Sequence, residues 1–125
     1  MKAWMDALSH TVLIVDDDPQ ILRLVEKMLR PRTVKILAAP RPSKALEICA
    51  NEPIDLLISD IAMPEMDGHK LAEKVLQLRP AASILLISGQ YEEAPAGKQP
   101  RVKFLQKPFS PSDLLAAMRE LLPEL

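Results

Sequence analysis

The chain is poor in cysteine and aromatic residues, carries no excess charge of either sign and has no long apolar run. A single cysteine, Cys49, excludes an internal disulfide and fits a reducing compartment, the cytoplasm. Four aromatic side chains, Trp4, Tyr91, Phe104 and Phe109, are too few and too scattered to form a stacking platform for bases. Sixteen Lys and Arg stand against 17 Asp and Glu, a formal net charge of -1, so the electrostatic footprint of a nucleic-acid binder is missing. No apolar run approaches the roughly 20 residues that cross a bilayer, which argues against a membrane protein. Residues 1–10 hold one lysine and no long apolar stretch, so they read as an N-terminal extension and not as a signal peptide. What remains is a chain of 125 residues, 48% hydrophobic and 26% charged. That is the composition of one folded soluble domain with a single core, placed at residues 11–123.

Short β-prone apolar runs recur at 11–15, 34–38, 54–58, 83–87 and 102–105. Runs this apolar suit strands of a parallel sheet buried on both faces. Between them apolar residues return at helical spacing: Ile21, Leu24, Val25, Met28 and Leu29; Ala45, Leu46 and Cys49; Leu71, Val75 and Leu78; Leu114, Leu115, Met118, Leu121 and Leu122. Asp18 before Pro19, and Ser110 before Pro111 with Asp113 in the first turn, are helix-start signals. A β-α unit repeated about five times predicts an α/β three-layer sandwich. Pro95, Gly97 and Pro100 break residues 91–101, which leaves room for only a short or irregular fourth helix.

In such sheets ligands sit at the carboxyl ends of the strands. The residues after the apolar runs are Asp16, Asp17 and Asp18; Ser59 and Asp60; Ser88; and Lys107 before Pro108. Acids, a hydroxyl and a lysine therefore converge on one edge from four strands. Clustered carboxylates repel one another, and a hard divalent cation such as Mg²⁺ relieves that. With charge neutralised, one carboxylate can act as nucleophile toward phosphorus, with the lysine and hydroxyl sharing the charge of the phosphoryl oxygens. Plainer roles are open to the same residues. Asp18 serves as a helix cap, and Asp16 and Asp17 could cap the same helix. Ser88-Gly89 is an ordinary turn dipeptide lifted only by its position. Asp67-Gly68 shapes the turn into the third helix, His10 and His69 are surface residues without metal-ligand partners, and Cys49 is a small packed residue.

Four ordered motifs, Val15-Asp16-Asp17, Asp60-Ile61-Ala62-Met63-Pro64 with Met66-Asp67-Gly68, Ser88-Gly89, and Phe104-Leu105-Gln106-Lys107-Pro108-Phe109, resemble the response-regulator receiver family of two-component phosphorelays. The resemblance runs from about Thr11 to Leu122. It implies a flavodoxin-like αβα sandwich with strand order 2-1-3-4-5. It implies phosphorylation of Asp60 by a histidine kinase or histidine phosphotransfer protein. It also implies a Mg²⁺ held by Asp16, Asp17, Asp60 and the backbone carbonyl of Ala62, a switch hydroxyl at Ser88 and a phosphoryl-contacting Lys107. Phe104 takes the place of a rotating aromatic, and with no hydroxyl its readout rests on packing toward an output partner. The Lys107-Pro108 peptide is often cis in such domains. The wording of residues 104–111 is similar to receivers of hybrid histidine kinases, so the chain is a stand-alone regulator or a piece of a larger protein. Two other functions compete. One is a degenerate receiver that binds partners without phosphorylation. The other is an aspartyl-phosphate phosphatase, which needs a second acid two residues after the nucleophile, where this chain has Ala62.

Overall fold

A computed structural model describes residues 10–30, 34–89 and 101–123. Five strands form one parallel sheet: β1 (Thr11–Val15), β2 (Lys35–Ala39), β3 (Leu56–Asp60), β4 (Ser83–Ser88) and β5 (Val102–Gln106), in spatial order β2-β1-β3-β4-β5. Four helices are described: α1 (Pro19–Leu29), α2 (Pro42–Asn51), α3 (Gly68–Leu78) and α4 (Pro111–Leu121). The expected N-terminal extension (residues 1–9 of it) and the expected short helix (91–100 of 91–101) lie outside the described residues. No helix among the described residues is long and apolar enough to cross a membrane.

Alternation along each strand splits the sheet's side chains between two cores. Leu13, Val15, Leu57, Ile84 and Leu86 meet Ala45 and Cys49 of α2 and Leu71, Ala72 and Val75 of α3. Val12, Ile14, Leu56, Ile58, Leu85 and Ile87 meet Val25 and Leu29 of α1 and Leu114, Ala117 and Met118 of α4. Each fully buried Leu or Ile contributes about 1.5–3 kcal/mol of transfer free energy. The three central strands are buried on both faces, which is why their middles are apolar, with polar residues only toward their ends. The outer two are not, because β2 and β5 each lack a neighbour on one side, and both are only partly buried.

Helix starts follow the local chemistry. The Asp18 side chain accepts from the Gln20 N–H at 2.9 Å ahead of Pro19. Ser110 and Asp113 form a reciprocal capping box at the head of α4. Asp67 accepts from the Lys70 N–H at 2.9 Å and caps α3. Strand limits differ from the sequence reading by up to two residues. β3 spans 56–60 instead of 54–58, and β4 and β5 each run one residue further. Leu24 and Leu78, placed on apolar helix faces by their spacing, are 46% and 45% exposed.

Candidate functional site

The strand limits decide where the site residues stand. Asp60 is the last residue of β3, paired in register with Ile87, and Ser88 closes β4 opposite Gln106. Both belong to the strands themselves, not to the loops after them. A polar residue is tolerated there because the sheet's carboxyl end opens on the loops. Asp60 and Ser88 are each only 8% exposed. The Asp60 main chain is tied down: its carbonyl accepts from the Ser59 hydroxyl at 2.8 Å, and the next N–H, of Ile61, donates to Ile87 at 3.0 Å.

Asp16 follows β1 directly and is buried, its N–H donating to Ala39 at 3.3 Å and its carboxylate accepting from the Asp18 N–H at 2.9 Å. Asp17 beside it is exposed. One carboxylate oxygen each from Asp16, Asp17 and Asp60 lie within 4.8 Å of one another. Lys107 follows β5, its N–H donating to the Ser88 carbonyl at 2.8 Å and its Nζ 3.2 Å from Asp60 Oδ1. The Lys107-Pro108 peptide is cis.

Three carboxylates face one ammonium group. Two like charges at such a separation repel by roughly 3 kcal/mol at an effective dielectric of about 20. Burial pushes the Asp16 carboxyl above the usual carboxylate range, and the Asp60 and Asp17 charges push the same way, against the Asp18 N–H and Lys107. An all-oxygen set short of positive charge fits a hard divalent cation and disfavours thiophilic metals.

The structure thus brings together Asp16, Asp17, Asp60 and Lys107, with Ser88 at the adjoining strand end. Ala62 lies two residues past Asp60 on the exposed loop between β3 and α3. Phe104 is set apart from the acids. It pairs in register with Leu86, is half-buried, and stands with its ring centroid 5.8 Å from that of His69 at an interplanar angle of 49°. His69 is exposed, as read from sequence, but its place against Phe104 was not readable from spacing. An open cleft bounded by His69, Ala72, Leu76, Leu86 and Phe104 runs along this side of β4 and β5. The sequence reading also passed over Glu65, whose backbone φ is 74° and whose carboxylate reaches Ser43. No residue-type signal marks it, since left-handed positions are usually flagged by Gly or Asn.

Comparison with known proteins falls on the same stretch. The family profile described as "Response regulator receiver domain" matches residues 12–119. The response regulator receiver protein CpdR of Brucella abortus (strain 2308) is 33% identical over 114 residues, covering 89% of this chain and 95% of that protein. The sensor kinase CckA of the same strain is 33% identical over 119 residues, 91% of this chain and 13% of the kinase. The crystal structure of a CheY-like response regulator receiver domain protein from Methanospirillum hungatei JF-1 superposes with a TM-score of 0.79 at 30% identity, covering 92% of this chain and 94% of that one. Several curated relatives are much longer than the matched region, and the chain spans about a quarter of their length or less.

Proposed function

The chain belongs to the response regulator receiver domain family, and from that premise we propose that it accepts a phosphoryl group on Asp60 from a histidine of a kinase or phosphotransfer protein. The observation that carries this reading is the grouping of Asp60 with the Asp16 and Asp17 carboxylates within 4.8 Å and with Lys107 Nζ at 3.2 Å. An Asp60 carboxylate oxygen attacks phosphorus as the phosphorus–nitrogen bond to the donor imidazole breaks, and the imidazole leaves with the bonding pair. Lys107 offsets charge on the transferred oxygens as a point cation. Ser88 donates its hydroxyl to one of them. Asp16, Asp17, Asp60 and the Ala62 carbonyl are the groups that would hold Mg²⁺. When bound it supplies charge neutralisation and alignment of the phosphoryl oxygens.

The readout then runs from Ser88 to Phe104, which repacks within the cleft it shares with His69 and alters a surface met by an output partner. The receiver unit spans 11–123, works in the cytoplasm and acts as a phosphoacceptor without turnover of a substrate. Its similarity to the receiver domain of the hybrid histidine kinase CckA keeps a hybrid histidine kinase among the parent proteins it fits. The test is incubation with a small phosphodonor and Mg²⁺ followed by intact mass measurement. The wild type gains one phosphate and Asp60→Asn gains none. Phosphate retained by that variant, or steady hydrolysis of a phosphoester, overturns the assignment.

A further inference from the structure

Glu65 is the only non-glycine residue with positive φ among the described residues, at 74°. It stands at the centre of a three-residue turn closed by the Met66 N–H, which donates to the Pro64 carbonyl at 2.9 Å. A residue with a Cβ is disfavoured there, and such strain persists only where the surroundings hold it. The surroundings of Glu65 are specific. One carboxylate oxygen accepts from the Ser43 N–H at 3.0 Å, and the other from the Ser43 hydroxyl at 3.3 Å. Arg41 Nε lies 4.0 Å from the same carboxylate.

Ser43 lies in the first turn of α2. The cap residue of that helix, Arg41, makes no side-chain capping bond, and the first turn holds no acid. The free N–H groups and positive pole of a helix start call for an anion. Here the anion comes from the neighbouring loop. That loop, 61–67, is closed at its ends by the Gly68 N–H on the Ile61 carbonyl at 2.8 Å and by the Asp67 cap. Glu65 is the tie at its middle, and Ala62 lies within the span so fixed.

We propose that Glu65 is a positioning residue of the phosphoacceptor site: its carboxylate latches loop 61–67 to the start of α2 and so holds the Ala62 carbonyl ready for a divalent cation. This rests on the phosphoacceptor reading of Asp60. It adds that the cation site depends on a residue that touches neither the cation nor the phosphoryl group.

Two substitutions separate positioning from plain structural capping. Glu65→Gly removes the carboxylate and relieves the positive φ, so the turn is kept and the relief offsets most of the cost of the two lost hydrogen bonds. Glu65→Gln keeps the length and one acceptor. Amide hydrogen exchange at Ser43, measured without metal, reads the latch itself; calorimetry with Mg²⁺ reads its consequence. In Glu65→Gly, Ser43 exchange quickens and Mg²⁺ binds about tenfold more weakly, the lower end of what losing an outer-shell partner costs. Tm stays near that of the wild type, and Glu65→Gln recovers most of the Mg²⁺ affinity. Unchanged Ser43 exchange overturns the proposal, as does unchanged Mg²⁺ affinity in Glu65→Gly. A fall in Tm with affinity intact makes Glu65 a structural cap and overturns it equally. Failure of the phosphoacceptor reading looks different: the wild type itself then binds no Mg²⁺ and takes no phosphate, which removes both conclusions.

Discussion

Asp16 is under two opposing demands. Burial raises its pKa, so the ionised form that a cation requires is the form the folded protein least tolerates. The sign follows by linkage. A carboxyl whose folded pKa lies above its unfolded value favours the folded state in acid, and that favour is lost as pH rises through the folded pKa. Asp16→Asn keeps an oxygen for the Asp18 N–H while removing the charge. In metal-free buffer at neutral pH it should therefore raise Tm by a few degrees. The gain should fade below about pH 4, where Asp16 is neutral in any case. The same variant should lose Mg²⁺ affinity in calorimetry, a trade of stability for function. Equal Tm for variant and wild type at neutral pH would contradict this account. On the proposed function Lys107 poses the converse case, a cation that serves the reaction. Lys107→Ala should slow phosphate uptake about 100-fold, the scale of one preorganised charge-stabilising group. Lys107→Arg should restore only part, because a planar fork does not replace a point charge. A rate within twofold of wild type for Lys107→Ala would remove the lysine from the chemistry.

Among the elements, what was legible and what was not divide along physical lines. The three central strands could be read because burial on both faces leaves them mostly apolar, as in 83–87, and the partly buried β2 and β5 still carry short β-prone apolar runs. Their limits slipped where burial and strand pairing part company. Ile54 is buried against the α2–α3 side of the sheet and so looks like strand, yet the β1–β3 pairing begins at Leu56. At the other end Ser59 and Asp60 are polar and look like loop, yet they are paired within the sheet. Helical spacing overread Leu24 and Leu78, which keep the period but face solvent. The acids, the hydroxyl and the lysine were legible as a group because strand ends of a parallel sheet converge by topology. Glu65 was not, since its role depends on the approach of α2, which no local pattern encodes. Gly68 falls between. The sequence marks it as a turn residue, but the reason lies in packing: a Cβ there would stand 2.5 Å from the Asp60 carbonyl oxygen and 2.9 Å from Ile61 Cα. Gly68→Ala must push α3 or the end of β3 aside. It should cost about 1–3 kcal/mol, seen as a lower Tm. Phosphate uptake should slow with it, because the displaced backbone is that of Asp60. Wild-type Tm and uptake in Gly68→Ala would show that the loop yields freely.

For the molecule as a whole, the site is where separate strands are held to one another. Asp16 and Asp17 hang from β1, Asp60 ends β3, Ser88 ends β4 and Lys107 leads out of β5. In the free protein this end of the sheet gathers charges that repel, which works against closure of the fold there. A cation bound to the acids reverses the sign of that contribution, and it ties β1 to β3 in doing so. Stability should then follow mass action on the folded state alone. At a Mg²⁺ concentration a hundred times the dissociation constant the gain is about 2.7 kcal/mol. For a domain of this size that is a Tm rise of roughly 10 °C, reversed by a chelator. Asp60→Asn should blunt the rise and Asp16→Asn should nearly abolish it, although the latter starts from the higher metal-free Tm. The two curves therefore cross: without Mg²⁺ the Asp16→Asn protein melts later than wild type, and with saturating Mg²⁺ it melts earlier. A wild-type-sized Mg²⁺ response in Asp16→Asn would place the cation away from these acids. A crossing would tie the metal-free strain and the cation's stabilisation to the same Asp16 carboxylate.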